Sequence, residues 1–301
     1  MKPKINLCVF NNPRTGILDQ LWFAEEIFVQ HGYEFICTEI LRPECLNLLI
    51  ENFIEEDVHI LENFSRRYGK QVAIIMTEHI ERGAEGFTFD GAPLRDSMYI
   101  ANREQRLFSL LSLTDFVFAY FTLGELPELR TWNEILPSHR PYRLPYPSIS
   151  QKLHSSPRRD YDVVFTGAMT PYRETVLRQL GSKYLVVQSQ VTKTEEERAA
   201  LYAQAKVAVT IPQTENWKWV SPMRVLFGLR AGVPTVDLGR DRSTAFGRVV
   251  VPPVEIEGAI ANHERLFHMQ MRSYENFVKS PDNSVFPSGV FDLWAELEFP
   301  S

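Results

Sequence analysis

The stretch YDVVFTGAMTPYR, residues 161–173, is where the fold can be read most directly. Val163, Val164, Phe165 and Thr166 are β-branched or aromatic, which predicts a strand over residues 161–166 ending at Gly167. Thr170 followed by Pro171 is a helix start: a hydroxyl able to cap, then proline where its missing N–H costs nothing. Residues 172–180 continue at helical spacing. Strand, glycine loop and helix in that order are the first half of a βαβ unit.

Working outward, the alternation continues. Strands are expected at 184–188, 206–211 and 233–238, with helices at 195–204 and from Ser221-Pro222 to about Arg230. Residues 249–251 read as a further short strand and 258–279 as one long helix. Upstream, strands are expected at 5–10, 33–38, 71–77 and 115–121. Helices are expected at 17–30, 43–53 (with Pro43 in the first turn), 57–68 and 96–113, and a glycine-rich loop at 81–93. Between the two alternating halves, residues 126–157 carry six prolines, with a short extended piece at 142–144. The predicted organisation is an N-terminal domain over 1–140, a linker over 141–160 and a C-terminal domain over 161–280. A tail over 281–301, apolar at 290–297, packs back on the first domain in this reading.

Bulk properties narrow the classes. The chain has 301 residues, 44% hydrophobic and 23% charged, enough for two packed α/β domains. Net charge is −6 and no long Lys/Arg run occurs, which argues against nucleic acid as a partner. Three cysteines, Cys8, Cys37 and Cys45, form no C-x-x-C pair and fit a reducing compartment. The N-terminal apolar run is too short for a secretory signal, and no stretch approaches a membrane span. The cytoplasm is the expected location, with membrane association at most peripheral. Walker A, G-x-S-x-G and H-E-x-x-H motifs are absent, and no D-x-D stands in a loop, so no obligatory metal or cofactor is expected.

Ligands of open parallel sheets bind beyond the carboxyl ends of the strands, so the loops there carry the candidates. Gly167, Thr170 and Arg173 follow the strand at 161–166 and open a helix, whose N-terminus favours anions. The segment TENWKWVSPMR, residues 214–224, offers a second helix start at Ser221-Pro222 with Lys218 and Arg224 beside it. Fixed N–H donors plus cations are what a phosphate leaving group requires. In the first half, Glu78 and His79 follow the strongest strand and suit a general base. Asn11, Asn12, Arg14 and Gly16 follow the first strand as acceptor or phosphate contacts, and Glu215 is a further candidate base or hydroxyl ligand. Each group also has a plain structural reading: turns, caps and solvated charges.

Residues 161–240 resemble the donor domain of GT-B-fold glycosyltransferases, the group-1-like enzymes in particular. The shared pattern is strand-Gly-loop-Arg-helix, then Tyr202-x-x-Ala205-x-Val207, then Ser221-Pro222-x-Arg224 running into Ala231-Gly232-Val233-Pro234. The resemblance implies two Rossmann-like doubly wound parallel-sheet domains facing a cleft, with a nucleotide sugar as donor substrate in the second. It further implies transfer to a hydroxyl of a glycan or other acceptor. One departure stands out: where many retaining members carry a ribose-binding glutamate, this chain has Phe227, and the usual donor lysine has only Lys193 as a counterpart. A cytidine-monophosphate-activated sugar therefore joins uridine and guanosine diphosphate sugars as a donor class. Two other functions fit the same residues, a sugar-nucleotide epimerase and a non-catalytic nucleotide- or sugar-binding protein.

Overall fold

The computed structural model describes residues 2–10, 17–50, 55–77, 80–83, 86–89, 92–93, 115–125, 141–150, 153, 158–189, 194–213, 215, 220–239 and 244–296. The chain divides into two compact units, Met1–Pro147 with Pro281–Ser301, and Ser148–Ser280.

Unit 1 holds a parallel sheet of β1 (Lys4–Cys8), β2 (Glu34–Thr38), β3 (Leu46–Ile50), β4 (Val72–Met76), β8 (Ala119–Leu123) and β9 (Tyr142–Leu144), ordered β2-β1-β3-β4-β8-β9. Helix α1 (Leu18–Gln30) lies on one face and α2 (Glu55–Tyr68) on the other, so the sheet is doubly wound. On the α2 face, Val58, Leu61 and Phe64 pack with Leu49, Val72, Ile74 and Met76. On the α1 face, Phe28 and Phe121 meet Phe291, with ring centroids 5.3 and 5.2 Å away. Phe291 belongs to helix α9 (Ser288–Ala295), so the C-terminal segment completes the core of unit 1.

The link from β2 to β3, residues 39–45, contains no helix. It is a strap of bends and one turn, closed by Cys45 N donating to Arg42 O at 3.2 Å, and buried amides hold it to the sheet. Asn6 and Asn47 are paired across β1 and β3, each 0% exposed. Asn6 Nδ2 donates to Asn47 Oδ1 at 2.8 Å and to Ile40 O at 3.0 Å. Asn47 accepts from Arg42 N at 2.8 Å and donates to Arg42 O at 2.9 Å. The strap then lays Leu41 onto the α2-face core.

Unit 2 holds a second parallel sheet, β11-β10-β12-β13, from β10 (Tyr161–Thr166), β11 (Val186–Ser189), β12 (Ala205–Thr210) and β13 (Thr235–Asp237). Its helices are α3 (Pro171–Gly181), α4 (Glu195–Ala203), α5 (Pro222–Arg230), α6 (Ala245–Val250), α7 (Ile256–Ala261) and α8 (His263–Lys279). Leu177, Ala259 and Leu266 of α3, α7 and α8 cover one face with Val163, Phe165, Val207 and Val209. Ala199, Tyr202 and Phe227 of α4 and α5 cover the other with Val164 and Ala208. Gln270 of α8 closes the edge of β13, accepting from Thr235 N at 2.8 Å and donating to Thr235 O at 2.6 Å. At the amino end of the sheet Arg159 donates to Ala203 O, Ala205 O and Gly232 O at 2.8–3.2 Å.

Five local expectations are corrected. Residues 46–50 are a strand and not part of a helix, because burial on both faces and the Asn6–Asn47 pairing outweigh the leucine-rich helical pattern. Where a loop was expected at 81–93, the described residues form three short antiparallel strands, β5 (Ile80–Gly83), β6 (Gly86–Phe89) and β7 (Ala92–Pro93). Residues 142–144 pair in parallel with β8 and so belong to the unit 1 sheet. Residues 249–250 end helix α6, which Thr244 caps by accepting from Gly247 N at 3.0 Å. The long helix at 258–279 is two, interrupted at Asn262, whose φ of −122° and ψ of 33° are non-helical. The helix expected at 96–113 lies outside the described residues. Among the described residues no helix is long and apolar enough to cross a membrane.

Candidate functional site

The order β11-β10-β12-β13 puts the second strand of unit 2 on one side of the first and the third on the other. Loops leaving β10 and β12 therefore diverge, and a crevice at such a switch point is where open α/β sheets take ligands. The loop after β10 runs through Gly167, Ala168 and Met169 to Thr170, and the loop after β12 begins Ile211-Pro212-Gln213.

Side chains tie these two loops together. Thr170 caps α3, its hydroxyl accepting from Arg173 N at 3.3 Å, and the same hydroxyl donates to Gln213 O at 2.7 Å. Arg173 was expected to present its charge to a ligand; it is instead 1% exposed. Its Nε donates to Ile211 O at 2.9 Å and Pro212 O at 3.2 Å, and its Nη1 to Ala168 O at 2.7 Å. The physical reason is local: the carbonyls past the strand ends need donors, and the planar guanidinium supplies several at once.

The two segments singled out in sequence meet here. Gly167 has φ +148°, a region that side-chain-bearing residues rarely enter. A Cβ there would lie 3.1 Å from Arg224 Nη2 and 3.7 Å from its Cζ. Half-buried Arg224 thus rests against the glycine backbone, its Cζ 5.9 Å from the centroid of the Phe165 ring. Arg224 sits in the first turn of α5, whose first amide groups have no acceptor within the helix and whose dipole favours an anion. Ser221 occupies the N-cap position with φ −73° and ψ 108°, but its side chain makes no capping hydrogen bond, contrary to expectation. From Val225 to Arg230 the helix is buried, so Ser221 to Arg224 form its open end. Phe227 is 1% exposed and packs edge-on to Tyr202 at 4.9 Å, so the position that lacks a glutamate faces the core.

One polar pair at this edge was missed in sequence. Asp237 ends β13 at 6% exposure, and Thr210 beside it in register donates to Asp237 Oδ1 at 2.8 Å. The available signal was its place as the single acid closing an apolar strand. Glu215 is exposed on the loop after β12. Lys218, Lys193, Asn11, Asn12, Arg14, Gly16, Glu78 and His79 lie outside the described residues. Among the described residues no group of three or more His, Cys, Asp or Glu side chains is placed to hold a metal.

No family model matches the chain, and no curated protein matches it. Solved structures similar to it include the pneumococcal O-GlcNAc transferase GtfA in complex with UDP and GlcNAc, at 12% identity and TM-score 0.44, covering 83% of this chain and 56% of that one. TarM is similar at 10% identity and TM-score 0.44, covering 83% of this chain and 54% of that one. An alpha1,3-fucosyltransferase is similar at 12% identity and TM-score 0.40, covering 92% and 81% respectively. This chain spans little more than half the length of the first two. The similarity is to glycosyltransferase structures, and at these values it describes general architecture alone.

Proposed function

We propose that this chain is a glycosyltransferase, moving a sugar from a nucleotide-activated donor to an acceptor hydroxyl. The observation that carries the reading is the meeting of Gly167 and Arg224 at the switch point of unit 2. A guanidinium resting on bare backbone, beside an open helix start, suits an anion that must approach the main chain closely. In the transfer the acceptor oxygen bonds to the anomeric carbon while the bond from that carbon to the phosphate oxygen breaks. The nucleotide leaves with the electron pair, and a base takes the acceptor proton. Arg224 and the first amides of α5 are assigned to the leaving phosphate, with Lys218 as a second cation.

Unit 1 is assigned the acceptor. Asn11, Asn12, Arg14 and Gly16 follow β1, which is the strand at the reversal of its own sheet order. Glu78 or His79, after β4, is assigned the base, a role contributing roughly 10²–10⁴-fold in rate. Exposed Glu215 is the alternative.

The test is incubation of the full chain with UDP-, GDP- and CMP-sugars, with and without glycan and small hydroxyl acceptors. Nucleotide release that depends on acceptor supports transfer. Donor converted without acceptor means an epimerase, and tight binding without turnover means a non-catalytic binder; either result rejects the proposal.

A further inference from the structure

We infer that Arg173 is a positioning residue for this ligand site, fixing the spacing of the loops after β10 and β12 without touching what binds there. The inference rests on reading the unit 2 switch point as a ligand site. The parallel pairing of β10 with β12 includes Val164 with Ala208, and both strands end two residues later, at Thr166 and Thr210. Past those ends, Arg173 takes over the role of the ladder. It reaches Ala168 O on one loop and both Ile211 O and Pro212 O on the other. Through its own N–H it engages Thr170, whose hydroxyl holds Gln213 O.

This brace also bears on the residues assigned to the anion. The Arg173 guanidinium lies 5.5 Å from the Phe165 ring centroid, and that same ring supports Arg224 at 5.9 Å. Gly167 joins Phe165 to the braced loop through the chain. A shift of Arg173 therefore moves the glycine backbone and the ring beneath Arg224 together. Lysine cannot substitute: its ammonium is a point donor on a flexible stem, not a planar fork able to bridge two loops.

The experiment compares the full chain with Arg173→Lys and, as a milder variant, Thr170→Ala. Backbone hydrogen exchange is read in the absence of ligand. Affinities are measured for UDP and uridine, GDP and guanosine, and CMP and cytidine. The expected result for Arg173→Lys is exchange at least tenfold faster at residues 167–170, at Ile211 and at Gln213, with β10 and β12 protected as before. The nucleotides should weaken about tenfold and the matching nucleosides by less, because the groups displaced, Gly167 and Arg224, are those assigned to the phosphate. Thr170→Ala should accelerate exchange in the same loops by less, and it stands in if Arg173→Lys fails to fold. Unchanged nucleotide affinity in Arg173→Lys, with both loops exchanging faster, would overturn the inference, since the brace would then hold the loops without positioning the groups that meet the anion. Unchanged exchange in both loops would overturn it too. If the unaltered chain binds none of the six probes, the reading of the site fails, while the exchange data still decide whether Arg173 braces the loops.

Discussion

Unit 1 runs β2-β1-β3-β4 through its first four strands and unit 2 runs β11-β10-β12-β13, so each places its first strand between its second and third. The units differ in how the second strand reaches the third. Unit 2 uses helix α4, whose Ala199 and Tyr202 pack on Val164 and Ala208. Unit 1 uses the strap at 39–45, which has no helical hydrogen bonds of its own, and puts buried amides under it. In unit 2 buried Arg173, Thr210 and Asp237, with half-buried Thr170, carry side-chain hydrogen bonds at the carboxyl edge of the sheet. In both units buried side-chain hydrogen bonds appear where irregular backbone needs partners. In unit 1 that place is a folding device. In unit 2 it is the edge where a ligand is expected.

The sharpest way to break this comparison is Asn47→Leu. It strips partners from Asn6, from Arg42 N and from the carbonyls of Arg42, Cys45 and Gln71. Unit 1 should lose about 3–4 kcal/mol, because Arg42 N loses its acceptor while buried Asn6 and three carbonyls each lose one partner at once. Native-state hydrogen exchange at β1 and β3 measures this, and unit 2 amides should be unaffected.

A smaller effect is expected in unit 2. Thr170→Ala removes the cap of α3 and the bond to Gln213 O, and should cost about 1 kcal/mol. Chemical denaturation followed by a probe within unit 2 would show it. A loss as large as that of Asn47→Leu would mean the edge is as structural as the strap.

The smallest effect concerns the opposite edge. Asp162 at the start of β10 has its carboxyl held below the ordinary 3.8, first by the hydrogen bond from Lys206, with the backbone N–H of Leu185 adding to it. A depressed carboxyl stabilises the fold above its unfolded pKa, and that contribution fades as pH falls through the folded value. The pair is partly exposed, at 34% and 22%, so its worth is under about 1 kcal/mol. In Lys206→Met the Asp162 titration, followed by NMR, should move up toward the ordinary value.

Unit 2 was legible because its strands are β-branched and its helices open on Thr-Pro, Thr-Glu and Ser-Pro starts. Each signal is local, and β10 runs over residues 161–166 as read. Unit 1 was harder. LNLLI at 46–50 lacks β-branched residues until Ile50, and what makes it a strand is a partner at Asn6, forty-one residues away. Arg173 shows the same limit at the site. Its place in the first turn of a helix was readable; its partners, 38 and 39 residues on at Ile211 and Pro212, were not. Arg224 could be singled out because the helix start it sits in is written in adjacent residues; its place against Gly167 and Phe165 was not.

The central claim is that Arg224, lying on Gly167, holds the phosphates of a nucleotide. A thermal-shift titration of the unaltered chain and Arg224→Ala against UDP, GDP and CMP tests it most directly. The unaltered chain should gain about 2.7 kcal/mol at a hundredfold excess of one nucleotide over its dissociation constant. Arg224→Ala should unfold at nearly the same temperature without ligand and lose that gain. An undiminished shift in Arg224→Ala would contradict the account.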